Sequence, residues 1–179
     1  SRNDPVKRPT RCLTGSEPTT RELAGRLDRP GELHEVRLDL LTDLGGDTYR
    51  LLERHGPRLV VTCRAGVEGG GFEGTEGERL AVLRKAARTG AAWLDLELFL
   101  FEQGATARLD LDRLGEPPRL IASLHDFEGG AGRAEQLASR FEGCPADLAK
   151  LAVAVDGPEA LADLRRLDLH NARRVVIGM

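Results

Sequence analysis

Leu33-His34-Glu35-Val36-Arg37-Leu38-Asp39-Leu40 alternates strictly along an extended chain, with Glu35, Arg37 and Asp39 on one face and Val36, Leu38 and Leu40 on the other. In an open doubly wound sheet the central strands lie under helices on both faces and read as continuous apolar runs. A strand with one charged face belongs more naturally to a barrel, where helices cover the outside only. The apolar face must then point outward and the charges inward. The pattern recurs. In Ala92–Leu98, Asp95 and Glu97 oppose Leu94, Leu96 and Leu98. Ser123 and His125 oppose Ala122 and Leu124, and Lys150, on a face with Ala152 and Ala154, opposes Leu151, Val153 and Val155. The expected fold class is α/β, a (β/α)8 TIM-type barrel with a polar site inside.

Working outward from these segments, the predicted strands are Arg11–Thr14, Leu33–Leu40, Arg58–Cys63, Ala92–Leu98, Arg119–Leu124, Ala149–Val155 and Arg174–Ile177. Helical periodicity marks Thr19–Leu27, Asp47–Arg54, Glu76–Arg88, Ala131–Phe141 and Pro158–Leu167, while Leu100–Leu114 reads as helical only in parts. Strands alternating with helices imply a parallel sheet. No Pro/Ser-rich linker divides the chain. The expected organisation is a disordered lead-in over residues 1–10 and one barrel domain over 11–179, C-terminally incomplete, since seven strands are legible and the eighth with its loop has no counterpart.

Composition narrows the function classes. The 179 residues are 40% hydrophobic and 31% charged, enough for a core and too apolar for wholesale disorder. A formal net charge of −3 argues against a generally basic nucleic-acid binder, and 4% aromatic content argues against base-stacking platforms. No apolar run has the roughly 18–20 residues of a membrane span, and the start, SRNDPVKRPTR, lacks the apolar core of a secretory signal, so a cytoplasmic location is expected. Cys12, Cys63 and Cys144 form no CxxC pair, and no HxH or HExxH spacing occurs, so neither a disulfide scaffold nor a metal site is expected.

Of the 26 basic residues all are Arg except Lys7, Lys85 and Lys150. Lys150 sits inside an otherwise apolar strand, where burial would disfavour the ammonium and leave an amine able to attack a carbonyl. The alternative is a lysine at a strand end, paired with a carboxylate such as Glu35 or Asp95. His125 closes the fifth predicted strand, at the mouth of the barrel, where an imidazole can transfer protons near pH 7; the alternative is a core histidine held by a backbone carbonyl. His34, His55 and His170 read as structural or surface residues. After the third strand comes Arg64-Ala-Gly-Val-Glu68-Gly-Gly-Gly, in which Arg64 could clamp an anionic or hydroxylated substrate and Glu68 could orient a base. The segment has neither the GxGxxG nor the GKS/T of a phosphate cradle, and a solvated loop with an ion pair is its plainer reading.

Five motifs in order, Glu35-Val-Arg37-Leu-Asp39, Arg64-xxx-Glu68-Gly-Gly, Asp95-Leu-Glu97, Ser123-Leu-His125-Asp-Phe127 and Asp147-Leu-Ala-Lys150, resemble type I 3-dehydroquinate dehydratase from about Arg11 to Met179. The resemblance implies a cofactor-free lyase of the shikimate pathway and aromatic amino-acid biosynthesis, converting 3-dehydroquinate to 3-dehydroshikimate. Lys150 would form an imine with the C3 ketone, His125 would remove a C2 proton and help the C1 hydroxyl leave, and Glu68 would orient that histidine. Glu35, Arg37 and Arg64 would hold the ring hydroxyls and the ketone region. Two departures stand out: Cys12 replaces a small hydroxyl residue, and the family's Arg-bearing loop and Ser- and Gln-bearing eighth strand, which bind the substrate carboxylate, have no counterpart. Weak substrate affinity is therefore expected, and the open strand edges imply either self-association, as a homodimer, or a truncated record of a longer protein. A class I aldolase-like Schiff-base lyase and a non-catalytic remnant serving as an interaction subunit are the rival readings.

Overall fold

The computed structural model of the chain describes residues 11–31, 33–128, 131–155, 157, 159, 162, 167 and 174–178. The expected lead-in over residues 1–10, most of the helix expected over Pro158–Leu167, and His170 lie outside these residues. Seven strands follow one another in the sheet in chain order, every neighbouring pair parallel: β1 (Cys12–Leu13), β2 (Leu33–Arg37), β3 (Leu59–Thr62), β4 (Trp93–Glu97), β5 (Arg119–Asp126), β6 (Leu148–Val153) and β7 (Arg174–Gly178). Helices α1 (Thr20–Leu27), α2 (Gly46–His55), α3 (Glu76–Ala87), α4 (Leu98–Glu102) and α5 (Ala134–Ser139) lie among the connections. This is the strand order of a barrel wall, as the alternating strands required.

Register separates the two faces. Val36, Val61, Leu94 and Leu120 are successive partners across β2 to β5, and Leu124, Leu151 and Val176 continue the apolar face across β5 to β7. Behind them pack Leu23, Leu27, Leu51, Leu52, Leu80 and Leu83 of α1 to α3, and Ala134, Leu137 and Ala138 of α5. On the opposite face the partners are Arg37, Thr62 and Asp95, then Glu97, Ser123 and Lys150, then His125 and Ala152. Charges face inward because the helices cover the other face with apolar side chains.

Local signals account for the helix starts. The Thr19 hydroxyl accepts the Glu22 amide at 3.3 Å to open α1. For α3, Thr75 and Glu78 form a capping box, the Thr75 hydroxyl accepting the Glu78 amide at 3.3 Å while the Glu78 carboxylate accepts the Thr75 amide at 2.8 Å. No helix among the described residues is long and apolar enough to cross a membrane.

Several boundaries move. The strand expected over Leu33–Leu40 ends at Arg37 and turns through a 3-10 helix at Leu38–Leu40, because Asp39 bends back to accept the Arg64 and Gly71 amides, each at 3.0 Å. Leu98 opens α4 rather than closing β4. β5 runs past Leu124 to Asp126 because β6 stays paired with it, His125 with Ala152 and Asp126 with Val153. The helix expected over Ala131–Phe141 begins as a 3-10 turn at Ala131–Arg133 and ends at Ser139, with the Arg140 amide turning back to the Leu137 carbonyl at 3.2 Å. Leu100–Leu114 is helical in parts: α4, then short 3-10 turns at Ala105–Leu109 and Leu111–Arg113.

Leu83 is fully buried between α3 and the wall. Leu83→Ala should lower stability by about 2–5 kcal/mol through lost burial and a residual cavity. Denaturant unfolding checks this, with a lowered midpoint and an unchanged slope expected.

Candidate active site

The inward-facing charges form one connected cluster. Lys150 Nζ donates to Asp95 Oδ2 at 3.0 Å and lies 3.6 Å from Glu35 Oε1, which also accepts the Thr62 hydroxyl at 3.1 Å. Arg64 spans the neighbouring position: its Nη2 donates to Asp95 Oδ1 at 2.7 Å and its Nη1 to Ser123 Oγ at 2.6 Å. Ser123 in turn donates to Asp95 Oδ1 at 2.5 Å. The Asp95 carboxylate, with no exposed side-chain surface, thus bridges both cations.

Electrostatics follow from this arrangement. Burial pushes the Asp95 carboxyl up, but Arg64, Lys150 and the Ser123 hydroxyl outweigh it and hold it well below the usual carboxylate range. Burial pulls the Lys150 ammonium down, yet Asp95 and Glu35 more than reverse that and raise it above its ordinary value. The expectation of a lysine depressed by burial is therefore corrected: two carboxylates within 3.6 Å stabilise the charged form. The pairing weighed as the alternative is present, and both named carboxylates take part. Arg64 is 3% exposed, which replaces the solvated-loop reading of that residue.

The chain after β3 delivers Arg64 and Glu68 together. The Ala65 carbonyl accepts the amides of Glu68 and Gly70, both at 3.0 Å, closing a 3-10 turn over Gly66–Glu68. Gly69 has φ +76°, the left-handed region glycine favours, and a Cβ on Gly70 would lie 1.9 Å from the Arg64 carbonyl oxygen. The turn aims Glu68 at β5, where its Oε2 accepts His125 Nδ1 at 3.0 Å and the His125 amide at 3.1 Å. An ionised carboxylate only accepts, so Nδ1 carries the hydrogen and Nε2 is left for other work.

Glu35, Arg37, Arg64, Glu68, His125 and Lys150 all line a single cavity of about 300 Å3, with Phe127 and Ile177 at its apolar side. A larger depression of about 930 Å3, on the outer surface between α1 and α2, shares none of these residues. Among the described residues no group of His, Cys, Asp and Glu is arranged to hold a metal ion.

The family model for type I 3-dehydroquinase matches residues 13–179. The chain belongs to the type I 3-dehydroquinase family. It is similar to the 3-dehydroquinate dehydratase of Methanothermobacter thermautotrophicus, 37% identical over 82% of this chain and 63% of that protein. The 3-dehydroquinate dehydratase of Methanothrix thermoacetophila is 36% identical over 88% of this chain and 67% of its own. Across the first curated relatives the chain spans about half to two thirds of their length. The crystal structure of a type I 3-dehydroquinate dehydratase from Clostridium difficile, with covalently modified comenic acid, shares the fold at a TM-score of 0.77 and 18% identity, over 96% of this chain and 76% of that one.

Within this type I 3-dehydroquinase chain, the residues expected to meet the substrate are held by others, of which the sequence reading named only Asp95, as a partner for Lys150. Asp39 receives Arg37 through two hydrogen bonds, at 2.9 and 2.6 Å, and fixes the amide of Arg64. Asp95 and Ser123 fix its guanidinium, and Glu97 accepts the Ala65 amide at 2.7 Å. These four stand inside the quoted motifs, and the inward phase of their strands was the available signal. Arg79 stands in no motif. Its signal was position: it precedes Leu83 by four residues and Ala86 by seven, on the apolar stripe of α3.

Asp95→Asn should cost about 3–5 kcal/mol at pH 7, because it leaves Arg64 and Lys150 undercompensated in the interior. The sign with pH is fixed. A carboxyl held below its unfolded value of 3.8 contributes fully above that pH, and loses the contribution as pH falls through the folded value. The stability gap between wild type and variant should therefore narrow in acid, which unfolding curves from pH 7 to pH 2 test. A gap constant down to the lowest pH would rule out this role for Asp95.

Proposed function

We propose that the protein dehydrates 3-dehydroquinate to 3-dehydroshikimate through an imine on Lys150. The observation that carries this reading is the approach of two sets of groups to one cavity: an amine flanked by carboxylates at 3.0 and 3.6 Å, and a Glu68–His125 pair at 3.0 Å. Family membership and the named relatives support the substrate. The covalently modified ligand of the Clostridium difficile protein supports a covalent route.

In this mechanism Lys150 first gives its proton to a neighbouring carboxylate, Glu35 being the less committed of the two, and its lone pair attacks the C3 carbonyl carbon. Loss of water from the adduct leaves a protonated imine, whose nitrogen draws electrons from the adjacent C2–H bond. His125 Nε2 takes the C2 proton, and the electron pair of that bond forms an enamine. The enamine expels the C1 hydroxyl, to which His125 returns its proton, so that water departs. Hydrolysis of the imine restores Lys150 and releases the enone. Glu68 keeps the imidazole in the tautomer that presents Nε2 to the ring, and Arg37, Arg64 and Glu35 hold the ring oxygens.

Borohydride added with 3-dehydroquinate should reduce the imine and fix ligand mass on Lys150, read by peptide mass spectrometry. Lys150→Ala should lose both turnover and trapping. Mass on Lys7 or Lys85 instead, or none on folded protein, would sink the imine route. His125→Ala should slow turnover by about 10²–10⁴-fold, the usual worth of general acid–base catalysis, while trapping persists because the amine remains. Trapping with no turnover at all in the wild type would favour the non-catalytic reading.

A further inference from the structure

We infer that Arg79, on the outer helix α3, is a positioning residue for the site, acting through Glu97 and the Ala65 peptide on Arg64 and on the Glu68–His125 pair. The inference rests on the imine reading only for its kinetic consequences.

Arg79 is 2% exposed although it lies on a helix whose inward face is otherwise Leu80, Leu83, Ala86 and Ala87. A guanidinium in that place is costly unless fully paired, and an apolar side chain of similar length would fill the space without that demand. Each of its three nitrogens is hydrogen-bonded, and the partners reach three elements. Nε and Nη2 donate to the two Glu76 oxygens, at 2.8 and 2.7 Å, which anchors the group to its own helix. Nη1 reaches through the wall to the Cys63 carbonyl, just past the end of β3, at 2.5 Å, and to both Glu97 oxygens, at the end of β4, at 3.1 and 2.9 Å.

Glu97 transmits that grip. It is 1% exposed, and the oxygen at 3.1 Å from Arg79 also accepts the Ala65 amide at 2.7 Å. Ala65 is the pivot of the turn, since its carbonyl holds the amides of Glu68 and Gly70. The chain of contacts therefore runs Arg79, Glu97, Ala65, Glu68, His125, without a gap. A second line is electrostatic. Glu97 Oε1 also lies 3.6 Å from Arg64 Nη1. With Arg79 removed, Arg64 becomes the one cation left against the buried Glu97 carboxylate among the described contacts, and it is pulled away from Asp95 and Ser123. Both lines end on groups that line the cavity, whereas Arg79 itself does not touch it.

The test compares Arg79→Met and Arg79→Lys with wild type in three measurements on the full chain. Turnover is normalised to the amount of borohydride-trapped Lys150, so that unfolded protein does not count. We expect Arg79→Met to lose about 10- to 100-fold in kcat, the scale of a small misplacement of reacting groups, with a much smaller change in KM. Arg79→Lys keeps a charge against Glu97 but cannot reach all three elements, and should recover part of the loss. The Ala65 and His125 amides should exchange faster in Arg79→Met by NMR. A variant that melts earlier yet keeps wild-type kcat per trapped site and wild-type kinetic pH dependence overturns the proposal, leaving a stabilising ion pair only. If Arg79→Met does not fold, Arg79→Lys decides, and wild-type kcat per trapped site in that variant is the overturning result. If the wild type itself neither turns over nor traps, the imine reading fails on its own account. Amide exchange then judges Arg79, and unchanged protection of Ala65 and His125 rejects it.

Discussion

The Asp95 carboxylate, buried between Arg64 and Lys150, is the interaction from which the interior of this barrel wall is organised. Moving one anion and two cations out of water is unfavourable for each alone, and mutual attraction offsets this only when geometry is close and the remaining hydrogen-bonding capacity is used. Here it is. One Asp95 oxygen takes Lys150 at 3.0 Å, and the other takes Arg64 at 2.7 Å and Ser123 at 2.5 Å. Neither cation can leave without stripping a buried Asp95 oxygen of its charged partner. The two residues of opposite function in the proposed chemistry, the amine and the clamp, are held in one geometry by a single group.

That arrangement depends on an outer core that is apolar along the strands, with Arg79 the charged side chain buried in α3. Val36, Val61, Leu94 and Leu120 follow one another across the sheet, and Leu124, Leu151 and Val176 continue the face. A one-residue slip in β2, β4 or β6 would turn charge into the helix layer, so the register of the site is set by hydrophobic burial and not by the ion pairs themselves. The loops then refine what the register supplies. Gly70, pressed against the Arg64 carbonyl, lets the turn close tightly enough for Glu68 to reach His125.

How much of this was legible in the sequence follows from what sequence patterns encode. Period-two alternation carried the barrel wall and the inward direction of Glu35, Asp95 and Lys150, because strand phase is a local property. Glu35, Arg37, His125 and Lys150 line one cavity for the same reason, while Arg64 and Glu68 reach it through the turn after β3 and were legible only from the ordered motifs. Element ends were less legible. β2 stops at Arg37 because Asp39 finds partners 25 and 32 residues ahead, and α5 is shorter than its periodicity. For Lys150 the strand pattern leaves two readings open, an amine lowered by burial and a lysine paired with Glu35 or Asp95, because the pattern shows burial but not how closely those carboxylates approach; the structure has both of them within 3.6 Å. Arg79 was missed because helical spacing was read for apolar residues alone.

The raised Lys150 ammonium bears directly on how a Schiff base would be used here. A lysine depressed by an apolar pocket would begin as a good nucleophile, yet the same pocket would penalise the protonated imine that follows, since both carry one positive charge at the same nitrogen. Carboxylates at 3.0 and 3.6 Å act in the opposite sense. They make the first deprotonation harder and the charged imine easier to hold. In the proposed reaction, C2–H abstraction requires the positive nitrogen to accept electron density. An interior that favours cationic nitrogen throughout is therefore suited to keeping the imine protonated until that proton is removed. The initial attack then needs only a transient proton acceptor, and Glu35, half-buried and shared with Thr62, is placed to be one.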